Sequence, residues 1–103
     1  MGSKQGVHVI ATQHLDVAWL WARAPYGEEV MRLCFERAIE MAEADPSFVF
    51  SRSTVWSFWV MEQKYPELFE KIKECVANGQ IELCGGEWVE PDHLIPGGES
   101  LVR

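Results

Sequence analysis

Residues 12–21 read TQHLDVAWLW, and His14 and Asp16 stand one residue apart where an apolar run ends. In extended backbone, residues i and i+2 point to the same side. The imidazole and the carboxylate can therefore aim at one point while Leu15 faces the core. Such a pair suits zinc or a similar divalent ion, although an H-x-D triplet also arises by chance. Asp92, in GGEWVEPD at residues 85–92, follows a different strand and is a candidate third ligand. Three protein ligands and one open position describe a catalytic metal site, and a fourth ligand from elsewhere stays open.

The neighbouring residues sort by the same logic. Trp19, three residues beyond Asp16, is placed to floor such a site, where a flat ring beside carboxylates suits the apolar face of a sugar. Trp21 and Trp88 read as rings packed under the loops. Glu90 and Asp92 suggest an acid and nucleophile pair, which in a retaining glycosidase stands about 5–5.5 Å apart. Two carboxylates on one strand-end face do not flank a single bond, so Glu90 reads as a supporting or surface residue. His8 opens the first strand, far from any site, and His93 points away from Asp92 in extended chain.

The elements that must position these residues alternate. Residues 6–11, GVHVIA, predict a strand buried on both faces. Val30, Met31, Cys34, Phe35, Ala38, Ile39 and Ala42 recur at helical spacing from near Pro25, and Asp45-Pro46 ends that helix. Residues 47–51 predict a second strand. Ser53 is placed to cap a helix carrying Val55, Trp56, Trp59, Val60 and Met61. Tyr65-Pro66 breaks it, Pro66 starts another, and Asn78-Gly79 closes that one before a third strand at 81–84. This order predicts an α/β fold of three parallel strands with right-handed crossover helices, in a layer or a barrel. Both chemistry-bearing segments then follow strands at their carboxyl ends, where such folds place their sites.

Bulk properties narrow the function classes. The 103 residues amount to one domain or part of one, with 48% hydrophobic and 24% charged side chains. A net charge of −7 argues against a nucleic-acid partner. No stretch approaches the ~18 apolar residues of a membrane span, and the amino terminus lacks the apolar core of a signal peptide. Cys34, Cys75 and Cys84 form no C-x-x-C pair, and reduced thiols fit a cytoplasmic setting.

The stretches HLDVAWLW at 14–21, YPELFEKIKECVANGQIEL at 65–83, GGEWVEPD at 85–92 and IPGGESLVR at 95–103 resemble the amino-terminal part of the family 38 glycoside hydrolases, the α-mannosidases. The resemblance is closest to the bacterial and cytosolic-type branch. It implies the opening segment of an incomplete parallel (β/α) barrel, with zinc at the carboxyl ends of its strands. It implies zinc ligation by His14, Asp16 and Asp92, with Asp92 also the catalytic nucleophile of a retaining α-mannosidase. It implies Trp19 against the ring of a mannose-containing oligosaccharide substrate. Thr12 departs from the family, whose members often carry a His there. The family's last zinc ligand and its general acid correspond to positions beyond residue 103. Two alternatives carry different chemistry: a metal-dependent carbohydrate deacetylase on a related barrel, with Asp92 a base, or a non-catalytic segment with a remnant site.

Three strands with their crossovers leave strand edges open and the apolar faces of residues 7–11 and 81–84 unlined, which favours self-association. The 103-residue chain alone is therefore expected to leave an aryl α-mannoside uncleaved. A chromogenic assay on the purified monomer checks this, and turnover would place the acid within these residues.

Overall fold

The apolar stripes of the three helices demand a common face, and the sheet supplies one. The computed structural model describes residues 4–13 and 22–89. Its elements run β1 (Ala11–Thr12), α1 (Glu28–Ala44), β2 (Phe50–Arg52), α2 (Val55–Lys64), α3 (Pro66–Ala77) and β3 (Ile81–Leu83). The strands form one sheet in the order β1-β2-β3, and both pairings are parallel. Ala11 and Ile81 flank Phe50, and Thr12 and Glu82 flank Ser51. Side chains alternate across a strand. Phe50, Arg52 and Ile81 therefore face the helices, while Thr12, Ser51 and Glu82 form a polar row on the opposite face.

Each helix is explained by its own sequence. In α1 the buried residues are Met31, Phe35, Ala38, Ile39 and Ala42, joined at the first turn by Glu28. The Glu28 carboxylate suits the positive end of that helix and pairs with Lys64 at the end of α2. Asp45 ends α1 in extended conformation, and its carboxylate accepts hydrogen bonds from the Ser47 hydroxyl (2.7 Å) and amide (2.9 Å). Those bonds hold the Asp45 carboxyl below its ordinary range. Pro66 begins α3, where its missing N–H costs nothing. Gly79 follows the Asn78 cap with a φ of 83°, a left-handed turn that glycine adopts without strain.

The core gathers around Phe35. Its ring lies 5.2 Å from that of Phe58 at a tilt of 58°, and Met31, Trp56, Val60, Met61, Ile72 and Ile81 are buried in the same cluster. At the amino-terminal edge of the sheet, the Gln80 amide nitrogen donates to the carbonyls of Ala42 (2.8 Å) and Asp45 (3.1 Å). One side chain thus joins the end of α1 to the start of β3.

Three expectations need correction. Residues 6–10 are not buried on both faces: Val7, Val9 and Ile10 are exposed, Val9 at 92%. The register accounts for this, because the β1–β2 ladder begins only at Ala11, opposite Phe50, and residues 6–10 precede the paired segment. The second and third strands are also shorter than 47–51 and 81–84. Ser53 does not cap α2; Thr54 holds the cap position without a side-chain bond.

Truncating Phe35 removes the ring that α1, α2 and the sheet share. Phe35→Ala should cost about 3–5 kcal/mol, read as a drop in the urea midpoint of a protein carrying this domain.

Candidate functional site

His14, Asp16, Trp19 and Asp92 lie outside the described residues, as do Trp21, Glu90 and His93. What the structure defines is the frame from which those segments leave. In a parallel sheet all carboxyl ends share one edge. Thr12 ends β1 two residues before His14, and Leu83 ends β3 nine residues before Asp92. Two strand spacings put those ends about 10 Å apart.

The chain after β3 then turns back across the neighbouring strand. The Cys84 amide donates to the Arg52 carbonyl (3.1 Å), extending the ladder by one bond. Further on, the Val55 amide donates to the Glu87 carbonyl (3.1 Å) and the Trp56 amide to the Trp88 carbonyl (2.8 Å). The first N–H groups of a helix lack internal partners, and here the returning loop satisfies two of them. Residues 87 and 88 thereby stand over the carboxyl end of β2, one strand nearer to β1.

Trp88 is not packed beneath the loops as expected. It is 52% exposed and tilts against Trp59 of α2, with ring centroids 5.9 Å apart. His8 is exposed, and it lies before β1 at the opposite edge of the sheet.

Arg52, which sequence reasoning did not single out, is a buried charged group at this edge. It ends β2 at 2% exposure. Its Nε donates to the Ser57 hydroxyl (3.2 Å), its Nη1 donates to the Gln13 carbonyl (3.3 Å), and its guanidinium lies over the Phe35 ring at 5.7 Å. The signal was available: strand alternation puts Arg52 on the same face as Phe50.

Among the described residues no group of three His, Cys, Asp or Glu side chains could hold a metal ion. The fit to zinc therefore rests on the donor chemistry of His14, Asp16 and Asp92, one imidazole and two carboxylates following strands that end at one sheet edge. Gln13 adds a polar indication beside His14, since its Oε1 is buried with no hydrogen-bond partner among the described residues. By contrast, a cleft of about 450 Å³ between α2, α3 and β3 is lined by Phe58, Phe69, Val76 and Leu83. Among the described residues its lining includes no carboxylate or imidazole.

Comparison with known sequences fits this frame. Residues 4–103 match the family model described as glycosyl hydrolases family 38 N-terminal domain. The chain belongs to that family. It is 34% identical over 103 residues to alpha-mannosidase 2C1 of Homo sapiens, covering 98% of this chain and 10% of that protein. It is 37% identical over 101 residues to alpha-mannosidase G of Dictyostelium discoideum (98% and 9%) and 34% identical over 99 residues to alpha-mannosidase of Saccharomyces cerevisiae (94% and 9%). The chain thus spans about a tenth of the length of the curated relatives it matches.

The three free thiols report on this frame. Burial pushes the Cys75 thiol up, which keeps it protonated, whereas Cys84 is exposed at the exit of β3. Iodoacetamide at neutral pH should modify Cys84 first and Cys75 only after denaturant is added, as read by peptide mass spectrometry.

Proposed function

We propose that this chain contributes the zinc ligands and the nucleophile of a retaining α-mannosidase that hydrolyses terminal α-mannosyl residues. The observation that carries this reading is the family 38 match across residues 4–103. The relatives' names support mannose-containing glycans as the substrate class. His14, Asp16 and Asp92 are the ligands in this reading, and their donor chemistry together with the common sheet edge supports the assignment.

Bound zinc would supply a Lewis-acid hold on adjacent sugar hydroxyls, such as the cis 2- and 3-hydroxyls of mannose. Trp19 presents a flat apolar surface to the sugar ring. A free carboxylate oxygen of Asp92 attacks the anomeric carbon as the leaving oxygen takes a proton from a general acid elsewhere in the protein. The bond from that carbon to the leaving oxygen breaks, and an ester to Asp92 forms. Water then attacks the same carbon, giving its proton to the group that served as acid, releases the Asp92 carboxylate and returns the sugar with its configuration retained.

The exposed Val7, Val9 and Leu83, with the apolar cleft beside α3, support self-association of the 103-residue chain when separated from further sequence.

In the full-length protein, a fluorinated mannoside that slows hydrolysis of the ester should leave a sugar covalently attached to the peptide containing Asp92. Asp92→Asn should abolish both labelling and turnover while the thermal transition stays near wild type. A wild-type protein that binds substrate but never labels would redirect Asp92 to the role of base, as in a metal-dependent deacetylase.

A further inference from the structure

We infer that Arg52 is a positioning residue for the candidate metal ligands His14 and Asp16, acting through the Gln13 carbonyl. The inference rests on the reading of those two residues as zinc ligands.

The argument begins with the cost of the charge. A guanidinium at 2% exposure has given up its water, and such burial is unfavourable unless its donors are used. Two of those donors, Nε and Nη1, are used on separate elements. Nε holds the Ser57 hydroxyl, which in turn donates to the Thr54 carbonyl at the start of α2. Nη1 holds the Gln13 carbonyl beyond β1. The flat cation rests on Phe35 of α1, an arrangement that fixes the plane of the fork.

The Gln13 carbonyl is a consequential acceptor. Its oxygen, the amide of His14 and the Cα of His14 belong to one planar peptide unit. A hydrogen bond to that oxygen therefore sets the direction in which the chain enters His14, and Asp16 follows two residues later. Outer partners of this kind commonly govern ligand orientation and metal affinity. Ordinary strand pairing does not do this here. The β1–β2 register runs only through Ala11 and Thr12, so Gln13 is the first residue past the ladder.

Lysine offers a single point charge and cannot reproduce the fork. Methionine matches the apolar volume and supplies no donor, so it tests the hydrogen bonds with little effect on packing.

The test uses the full-length protein with three variants: Arg52→Met, Arg52→Lys and, as a destabilised core control that carries no hydrogen-bonding side chain, Ile72→Val. Zinc affinity is measured by chelator competition, and amide exchange of the peptide covering residues 11–16 is measured on the metal-free protein. Arg52→Met should bind zinc about 10–100-fold more weakly and exchange faster at 11–16. Arg52→Lys should fall between Arg52→Met and wild type, and Ile72→Val should keep wild-type affinity despite its lower melting temperature. Wild-type affinity in Arg52→Met, or an equal loss in Ile72→Val, overturns the inference. A wild-type protein with no zinc affinity overturns the ligand reading instead. Exchange at 11–16 then decides for the clamp if Arg52→Met is faster and against it if unchanged.

Discussion

A parallel strand pair cannot be closed by a hairpin, and the rest of this structure follows from that constraint. Each pairing needs a crossover long enough to travel back along the sheet. Strands added in one direction, joined by crossovers of the usual right-handed kind, collect their helices on a single face. Ladders of two and three residue pairs are too short to hold themselves together. The helices over Phe50 and Ile81 do so, through a core centred on Phe35.

One consequence is a division of the sheet into two chemically different faces. The covered face is apolar except at its carboxyl end, where Arg52 replaces a hydrocarbon. The opposite face carries Thr12, Ser51 and Glu82 in register, and the Ser51 hydroxyl donates to the Glu82 carboxylate at 3.3 Å. A second consequence is that every strand delivers its following segment to the same edge. The segments after β1 and after β3 therefore both start from that edge, and the Glu87 and Trp88 carbonyls anchor the loop after β3 on α2.

Two polar side chains fasten opposite ends of this layer. Gln80 joins the end of α1 to the start of β3, and Arg52 joins β2 to α2 and to the exit of β1. Each spans elements distant in sequence through bonds to backbone carbonyls or a small hydroxyl. Surface pairs such as Arg37 with Glu40 (2.8 Å) connect residues on one helix face and are worth little to stability. The fastening is therefore concentrated where chain segments must be aimed.

Much of this was legible from residue order. Period-3.6 stripes named the residues that α1 and α3 present to the core, Asp45-Pro46 and Tyr65-Pro66 marked the breaks, and strand–helix alternation implied parallel pairing. These are local properties: a proline lacks its N–H and an apolar stripe needs a partner wherever it lies. The residue types and spacing of His14, Asp16 and Asp92 likewise named a candidate metal site. What only the tertiary structure decided depends on register and on contacts between distant segments. Residues 7–10 have the composition of a strand, yet the ladder begins only at Ala11, opposite Phe50, and Val7, Val9 and Ile10 stay exposed. Ser53 has the chemistry of a cap, yet carbonyls more than 30 residues later take that role. Arg52 looks like one more surface cation until the packing of α1 and α2 encloses it against Phe35 and the Gln13 carbonyl. Burial is a property of the whole arrangement, so composition alone could not assign it.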